Sequence, residues 1–316
     1  MKIVVLSIPN WSHRLVERLG SAYSIADVDA KDQIALAREL PDADILVSGS
    51  FSAALAPLCR SLRLLISPWA GTENIDRSAL PAGVAVVSSG GTEEPIAEYA
   101  IAMLVALRRR LREADRALRS GEWAFGFWGG AFVDELFDST LGLLGFGRIG
   151  REVVKRAHAF GMRCSALTLH PERAVDVSGC AVGPLAELDA VDSLVADVDA
   201  LVICCELSDI TRGMIDARRL ALMKASAAIV NVARAPICVE RDLYEALRQK
   251  RIAGAALDVW YEYPKAAGER MAPSAFPFHE LDNVIMTPHY SGWTRAALAR
   301  RLEGIVRTIE SFAASA

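Results

Sequence analysis

Three glycines, at positions 145, 147 and 150, follow the spacing GxGxxG within the stretch TLGLLGFGRIG. The apolar run Leu141–Leu144 precedes them as a strand, and a helical pattern over Arg148–Phe160 follows them. In this setting the first glycine permits a tight turn, the second lets backbone amides approach a pyrophosphate, and the third lets helix pack closely on strand. The pattern predicts a phosphate cradle for a dinucleotide, formed by Gly145, Gly147, Arg148, Ile149 and Gly150.

The residues after the next strand bear on which dinucleotide is bound. An acid that holds the adenosine ribose is expected about 20 residues on, but the strand Arg163–Leu167 is followed by TLHPER at 168–173. Without a carboxylate at Thr168, a 2′-phosphate would meet no repulsion, and His170 or Arg173 could attract it. We therefore expect Thr168 at the adenosine end and either NAD or NADP as cofactor. Plain solvent exposure of the two basic residues is the alternative.

A single aspartate interrupts the apolar run in ALDVWYEYP, residues 256–264. A carboxylate in an apolar strand costs free energy unless other groups satisfy it, so Asp258 is a candidate functional residue. Two more candidates follow strands: Arg234 comes after Ile229–Val232 and His289 after Val284–Met286. Doubly wound sheets bind ligands at the carboxyl ends of their strands, and a guanidinium fork there can hold a carboxylate through two hydrogen bonds.

Apolar runs bounded by turn residues alternate with helical periodicity along the chain, which is typical of parallel sheets. A first series occupies the N-terminal part and a second, stronger series runs from Thr140 to Met286. The chain therefore predicts an α/β protein with two doubly wound parallel-sheet domains. Besides the second series, the expected elements are strands at Ile3–Ile8, Ile45–Val47 and Leu62–Ile66, and helices at Leu15–Leu19, Ala53–Cys59, Pro95–Leu118 and Thr294–Phe312.

Composition narrows the partners and the compartment. The 316 residues carry a net charge of −4 with a pI near 5.8, so nothing favours nucleic-acid binding. No apolar stretch approaches the roughly 18 residues of a membrane span, and MKIVVLSIPN is typical of a first strand rather than a signal peptide. The six cysteines lack a CxxC spacing, which favours reduced thiols over disulfides or a metal site. We expect a cytoplasmic protein that binds a small molecule.

The segment Gly121–Asp138, which we call the aromatic segment, holds two tryptophans and four phenylalanines among glycines. Left uncovered, such a segment would expose a large apolar surface, so a subunit interface or packing between domains is expected. Folding back onto its own core is the alternative.

Three motifs together resemble the D-isomer-specific 2-hydroxyacid dehydrogenases, the group that contains phosphoglycerate, D-lactate, glyoxylate/hydroxypyruvate, phosphite and formate dehydrogenases. They are LGLLGFGRIG, MKASAAIVNVARAPICVERDLYEALRQKRIAGAALDVW and NVIMTPHYSGWT, and the resemblance covers nearly the whole chain. It implies a Rossmann cofactor domain inserted into a flavodoxin-like substrate domain, and a homodimer. Residues 1–100 and 292–316 would form the substrate domain, and residues 101–291 the dinucleotide-binding domain.

The resemblance also implies roles for individual residues. Arg234 matches the arginine that binds the substrate, His289 matches the histidine that transfers the proton, and Asp258 matches an aspartate near the nicotinamide carboxamide. Backbone amides of the loop Ser67–Asn74 match the loop that binds the other side of the substrate carboxylate. The remaining residues expected to contact substrate or cofactor are Trp69, Ala70, Gly71, Cys204 and Ala233.

The sequence departs from the family pattern beside the histidine. Family members carry a glutamate immediately before the proline, where it pairs with the histidine and raises its pKa. Here Tyr263 precedes Pro264, and Glu262 lies one position earlier. Three outcomes are open: Tyr263 is a neutral partner of His289, a backbone distortion turns Glu262 inward, or the site lacks a dyad. We favour the first, because a one-residue offset in an extended segment points a side chain the other way.

These features lead to one main functional hypothesis and two alternatives. The main hypothesis is an oxidoreductase that transfers a hydride between NAD(P)H and a small 2-keto or 2-hydroxy acid, which Arg234 anchors and His289 protonates. Trp69 replaces a small residue of the substrate loop, which favours a nonstandard substrate. A dinucleotide-sensing binding protein without turnover is one alternative. A formate-type dehydrogenase is the other alternative. Formate dehydrogenases of the family carry a glutamine at the position of Tyr263, but Thr92 stands where their pattern has an asparagine.

Overall fold

The chain divides into two compact units, Met1–Thr92 with Trp293–Ala316, and Glu93–Gly292. The computed structural model describes residues 1–7, 11–128, 130–173, 179–266 and 268–315. The division falls between Thr92 and Glu93, where a helix begins, whereas the predicted boundary at residue 100 lies inside that helix. Each unit contains one parallel sheet.

The first unit is built on short, apolar parallel strands. Its strands are β1 (Lys2–Leu6), β2 (Ser24–Val28), β3 (Ile45–Val47), β4 (Leu64–Ser67) and β5 (Ala85–Ser88). They lie in the order β2-β1-β3-β4-β5, the order of flavodoxin-like sheets. Its helices are α1 (Trp11–Leu19), α2 (Gln33–Glu39) and α9 (Arg295–Ala314).

Both faces of this sheet are covered, which explains why its central strands are apolar throughout. Successive side chains of a strand point to opposite faces, so β1 sends Ile3 and Val5 to one face and Val4 to the other. The first face packs on α1 and α9, and the second on α2. Within the described part of the chain, no helix is both long and apolar enough to cross a membrane.

The second unit has a longer parallel sheet. Its strands are β6 (Thr140–Leu144), β7 (Arg163–Thr168), β8 (Cys180–Pro184), β9 (Ala200–Ile203), β10 (Ala228–Asn231), β11 (Gly254–Leu257) and β12 (Val284–Met286). Their order is β12-β11-β10-β9-β6-β7-β8, a Rossmann order extended by one strand. Its helices are α3 (Glu93–Arg108), α4 (Leu111–Arg119), α5 (Arg148–Ala159), α6 (Leu188–Asp197), α7 (Ala217–Leu222) and α8 (Glu240–Arg248).

The prediction of an α/β protein with two doubly wound parallel sheets is confirmed. In the second unit, all carboxyl ends of the strands meet at one edge of the sheet, because every pairing is parallel. This edge collects the residues that follow the strands. They are Gly145 after β6, Thr168 at the end of β7, Cys204 after β9, Arg234 after β10, Asp258 after β11 and His289 after β12.

Some predicted elements were wrong. The helix expected over Pro95–Leu118 is two helices, α3 and α4, because Arg110 between them adopts a left-handed φ of 50°. The helix expected over Ala53–Cys59 is only a 3-10 turn, Ala56–Leu58. Ile8, the predicted end of the first strand, lies outside the described residues.

Leu136 of the aromatic segment is buried in the core of the second unit, but most of the aromatic side chains of the segment are not. Its described side chains are largely exposed: Phe127 by 94%, Trp128 by 80% and Phe132 by 97%. The rings of Phe127 and Trp128 meet edge to face, with centroids 5.4 Å apart. Gly129, within the segment, lies outside the described residues. The alternative of burial against the unit's own core is therefore wrong for these aromatic residues.

Candidate active site

The glycine motif forms a tight turn between β6 and α5. Gly145 has a φ of 107°, and a Cβ there would lie 2.6 Å from the backbone nitrogen of Cys205. A Cβ at Gly150 would lie 2.5 Å from Gly145 O, so this position is also closed to side chains. At Gly147, just before α5, an added Cβ would meet nothing within 4 Å. An open glycine in front of a helix N-terminus fits the pyrophosphate of a dinucleotide.

Neighbouring side chains stabilise this turn. The Cys204 thiol donates a hydrogen bond to Gly145 O, with Sγ and O 3.2 Å apart. Burial raises the pKa of Cys204 well above its ordinary value, so the thiol keeps its proton as a donor. Arg148 pairs with Glu93 at 3.0 Å, and Ile149 packs against the core. These contacts therefore stabilise the glycine turn on the side that faces the protein.

The adenosine end of the predicted site lies at the end of β7. The Thr168 hydroxyl oxygen accepts the N–H of His170 at 3.3 Å. The Glu172 carboxylate lies 3.4 Å from His170 Nδ1 and 3.5 Å from Arg173 Nε. Glu172 therefore offsets the positive charge that Arg173 would offer to a 2′-phosphate.

Arg234 lies between the end of β10 and a 3-10 turn, Ala235–Ile237. Asn231 fixes the backbone here, because its Oδ1 accepts the N–H of Ala233 at 3.0 Å and its Nδ2 donates to Arg234 O at 3.2 Å. Arg234 Nη1 donates to Ala233 O at 2.6 Å, which orients the guanidinium. Ala233 itself is buried and contributes backbone groups only.

His289 and Tyr263 form a hydrogen-bonded pair. The Tyr263 hydroxyl lies 3.1 Å from His289 Nδ1, and the two ring centroids are 5.7 Å apart. The same hydroxyl oxygen accepts the backbone N–H of Trp260 at 3.0 Å. The hydroxyl can therefore donate to Nδ1 of a ring protonated at Nε2, or its oxygen can accept from an Nδ1–H. The structure thus places Tyr263, and not the exposed Glu262, against the histidine.

The electrostatic surroundings keep Tyr263 neutral. Burial raises the pKa of Tyr263, the Trp260 N–H and the Arg234 charge lower it in part, and the Asp258 charge raises it again. A neutral phenol does not stabilise an imidazolium by charge as a carboxylate does. It can, however, donate to a bare Nδ1 or accept from an Nδ1–H. Among the described side chains, no group of histidine, cysteine, aspartate or glutamate is arranged to hold a metal ion.

Asp258 is fully buried, and protein groups satisfy its carboxylate. Its Oδ1 accepts the Thr287 hydroxyl at 2.6 Å and the N–H of Tyr290 at 3.0 Å, while Oδ2 accepts the N–H of Ser291 at 2.9 Å. Tyr99 OH lies 2.7 Å from Thr287 Oγ1. Because the threonine proton points to Asp258, Tyr99 is the donor in that bond. Burial raises the pKa of Tyr99 well above its ordinary value.

The predicted substrate loop, which includes Trp69, Ala70 and Gly71, belongs to the first unit. The Trp69 N–H donates to Ser67 Oγ at 3.2 Å, so this amide is engaged within the loop. The Ser88 hydroxyl donates to Trp69 O at 2.8 Å. The Trp69 ring lies under the guanidinium of Arg301, 5.0 Å from its centroid, and covers Gly49 so closely that a Cβ there would lie 2.6 Å from Trp69 Cδ1.

Sequence reasoning missed several residues that position the site. Asn231 carried a usable signal, since it is a polar residue at the end of the apolar run AIVN. Thr287 and Tyr99 gave none, because their pairing joins residues far apart in the chain. The same holds for Gly49 and Arg301, which meet at Trp69 only in the folded unit.

Comparison with known proteins relates the chain to one family. A model of the D-isomer specific 2-hydroxyacid dehydrogenase, NAD binding domain, matches residues 101–291. D-3-phosphoglycerate dehydrogenase of Methanocaldococcus jannaschii is 34% identical over 268 residues, which are 83% of this chain and 48% of that protein. The chain thus spans about half the length of this relative.

Two further relatives are matched over most of their length. Glyoxylate reductase of Thermococcus onnurineus is 32% identical over 288 residues, 88% of this chain and 82% of the relative. The structure of NAD-dependent formate dehydrogenase from Staphylococcus aureus in complex with NAD superimposes with a TM-score of 0.73 at 27% identity, covering 99% of this chain and 95% of that one. The match to the family model and the extent of these similarities show that the chain belongs to the D-isomer specific 2-hydroxyacid dehydrogenase family.

Proposed function

We propose that the chain is an NAD(P)-dependent oxidoreductase that acts on a small 2-keto or 2-hydroxy acid. The observation that carries this proposal is the bond between Tyr263 and His289, at the sheet edge that also bears the glycine cradle. Membership of the family supports the class of reaction. The bound dinucleotide would supply or accept the hydride.

The residues of the second unit supply binding and proton transfer. Arg234 can bind the substrate carboxylate through two parallel hydrogen bonds. In reduction, His289 in its charged form donates the Nε2 proton to the oxygen that becomes the hydroxyl. Tyr263 accepts the Nδ1–H of the charged ring and continues to accept it from the neutral ring after the Nε2 proton has left. One neutral side chain thereby supports both protonation states, and oxidation runs the same steps in reverse.

The two units divide the work in this proposal. The second unit, Glu93–Gly292, would bind the dinucleotide through its glycine turn. In the first unit, Met1–Thr92 with Trp293–Ala316, the loop Ser67–Asn74 is the part that the family resemblance assigns to the substrate carboxylate. Since the Trp69 amide is engaged by Ser67, the amides of Ala70 and Gly71 are the ones proposed to bind the carboxylate. The large ring of Trp69 favours a substrate with a short side chain.

A formate-type dehydrogenase is the second candidate. Formate oxidation removes a hydride and leaves carbon dioxide without any proton abstraction, so it requires no charged partner for His289. The neutral Tyr263 and the similarity to a formate dehydrogenase favour this candidate. A dinucleotide sensor without turnover remains the third hypothesis, but it gives no reason for the bond between Tyr263 and His289.

Assembly and location complete the proposal. The exposed side chains of the aromatic segment support a homodimer in which a second copy covers them. The cysteine pattern of the sequence favours a reducing, cytoplasmic compartment.

The test is a screen of the purified chain with both cofactors. NADH and NADPH are each mixed with glyoxylate, hydroxypyruvate and pyruvate, and NAD and NADP with formate and D-lactate, while absorbance at the nicotinamide band is followed. We expect turnover of at least one keto acid and its loss in Arg234→Ala. Turnover of formate alone would favour the second candidate. Dinucleotide binding without turnover of any substrate would favour the sensor and overturn the proposal.

A further inference from the structure

We infer that Asp258 is a positioning residue, whose buried carboxylate holds the turn that carries His289. This role differs from the nicotinamide contact that the family resemblance implies for the aspartate. The inference rests on the proposed function of His289 for its catalytic consequence, but the turn itself can be tested without turnover.

The carboxylate holds the chain on both sides of the histidine. On the N-terminal side, the Thr287 hydroxyl donates to Oδ1 at 2.6 Å. On the C-terminal side, the backbone N–H groups of Tyr290 and Ser291 donate at 3.0 and 2.9 Å. His289 therefore stands at the apex of a turn whose two ends bind one side chain. Because Asp258 is 0% exposed, water does not compete for these bonds.

The backbone at the apex requires such support. His289 has a φ of 56°, in the left-handed region that residues with a Cβ seldom occupy. Strained conformations of this kind persist only where the surrounding structure holds them, and they cluster at functional sites. The three hydrogen bonds to Asp258 supply that restraint. These hydrogen bonds therefore fix the direction of the Cα–Cβ bond of His289, and with it the position of the imidazole.

The same short segment also places the partner of the histidine. Two residues after Asp258, the backbone N–H of Trp260 donates to the Tyr263 hydroxyl at 3.0 Å. The indole Nε1 of Trp260 donates to Thr287 O at 2.8 Å. Residues 258–260 thus hold the histidine turn and the phenol together, so a shift of one changes the geometry of the pair.

An outer hydrogen bond aligns the threonine. Tyr99, on α3, donates to Thr287 Oγ1 at 2.7 Å, which leaves the threonine proton for Asp258. The Tyr99 and Tyr290 rings meet edge to face, with centroids 5.9 Å apart. Removing the Tyr99 hydroxyl should therefore loosen the turn without touching the carboxylate.

The experiment compares Asp258→Asn with the parent chain in two measurements. An asparagine keeps one acceptor but turns an NH2 group toward a backbone donor, so one end of the turn is released. Hydrogen exchange should speed up in the peptide that contains residues 287–291 and not in the one that contains 145–150. Since small misplacements of reacting groups can cost about 10²-fold, we expect kcat to fall by that order, with the KM of the keto acid and the Kd of NADH nearly unchanged.

Two matched variants separate positioning from general destabilisation. Tyr99→Phe should also speed up hydrogen exchange over residues 287–291 and lower kcat, but both effects should be smaller than in Asp258→Asn. Asp199→Asn is the control for stability alone. The Asp199 carboxylate accepts hydrogen bonds from Thr140 N at 2.9 Å and from Thr140 Oγ1 at 2.8 Å, at the end of β6 that lies away from the glycine turn. The substitution should lower the melting temperature while leaving kcat and the exchange of 287–291 unchanged.

The outcomes are distinguishable from failure of the proposed function. If the parent chain reduces none of the acids tested, the proposed function fails, whereas the exchange measurement still tests the turn. Unchanged exchange over 287–291 in Asp258→Asn would overturn the inference. So would a large rise in the Kd of NADH with kcat preserved at saturation, because that result would assign Asp258 to the cofactor.

Discussion

The hydroxyl of Tyr263 lies 3.1 Å from Nδ1 of His289, in the place that the family pattern gives to a glutamate. The pairing keeps a hydrogen bond to the histidine but removes a charge from it. Burial raises the pKa of Tyr263, so the phenol stays neutral around pH 7. The histidine is therefore oriented by geometry rather than by attraction between charges.

The first prediction concerns this pair. Tyr263→Phe removes the bond to His289 and the acceptor for the Trp260 N–H. It should lower kcat/KM by about 10- to 10²-fold, which is less than the roughly 10²- to 10⁴-fold contribution of a positioned acid–base group, because His289 itself remains. The melting temperature should change little, because Tyr263 is 43% exposed. Steady-state kinetics on the best keto acid measures the effect.

Glu262→Gln is the control for this prediction. It should leave kcat/KM within about 2-fold of the parent, since exposed substitutions away from a site have small effects. If Glu262→Gln abolished activity while Tyr263→Phe did not, the assignment of the phenol would be reversed.

The glycine turn provides the second prediction. Gly147→Ala adds a methyl group in open space, so folding should be preserved while the approach of a pyrophosphate is obstructed. We expect the Kd for NADH to rise by about tenfold or more with an unchanged melting temperature, as measured by fluorescence titration and thermal unfolding. Gly150→Ala, whose Cβ would press on Gly145 O, should instead lower the melting temperature. Normal NADH affinity in folded Gly147→Ala would contradict the cradle.

The third prediction links Gly49 to Trp69. A Cβ at Gly49 would overlap the indole, so Gly49→Ala should displace Trp69, raise the KM of the acid and leave the Kd of NADH unchanged. Replacing the indole by a small residue in Gly49→Ala/Trp69→Ala removes the overlap. The two changes should therefore be non-additive in the free energy of unfolding, by about 1 kcal/mol or more. Simple additivity would show that the ring is not held against Gly49.

Alkaline pH should destabilise the fold. Burial raises the pKa of Cys59 to about 11 and the pKa of Cys164 to about 12. Because these pKa values are raised, the folded state retains thiol protons that the unfolded state loses. The contribution of each thiol to the free energy of unfolding is complete below its unfolded pKa of about 8.5, and it declines as pH rises toward the pKa of the folded state. Each thiol should contribute a loss of up to about 1.4 kcal/mol per pH unit.

Urea unfolding at several pH values between 8 and 11 measures this decline. In Cys59→Ala the dependence on pH should be shallower, because the alanine cannot ionise. A slope identical to that of the parent chain would show that Cys59 does not contribute.

The fifth prediction addresses assembly. If a second copy covers the aromatic segment, the parent chain should have twice the monomer mass in light scattering. Trp128→Ser combined with Phe132→Ser removes apolar side chains that are 80% and 97% exposed, and should shift the mass to that of a monomer. Leu188→Ser, at a 58% exposed position on α6, is a matched surface control that should leave the mass unchanged. A monomeric parent chain would reject the interface.

The central strands were predictable, and so was the edge strand β12, but the other edge strands were not. The apolar runs of β1, β3 and β4 are buried on both faces, and burial on both sides requires continuous apolar sequence. Strands β2, β5 and β8 lie at sheet edges, where partial exposure permits polar and small residues. The sequences of these three strands therefore contain no continuous apolar run that distinguishes them from loops.

The sequence by itself determined the order of elements, the glycine turn and the identity of the residues that follow each strand. Spacing along the chain is enough for these features, because a turn and its helix are local and the carboxyl ends of parallel strands must share an edge. It also placed Tyr263 at the position of the missing glutamate, because the separation from Asp258 to Pro264 is unbroken.

Only the tertiary structure decided what Asp258 and Trp69 contact. The partners of Asp258 come from the loop after another strand, and Thr287 in turn binds Tyr99 from α3. Trp69 is held between Gly49 and Arg301, which lie far from it in the chain. A buried carboxylate must find donors, but periodicity does not show which donors folding brings within hydrogen-bonding distance.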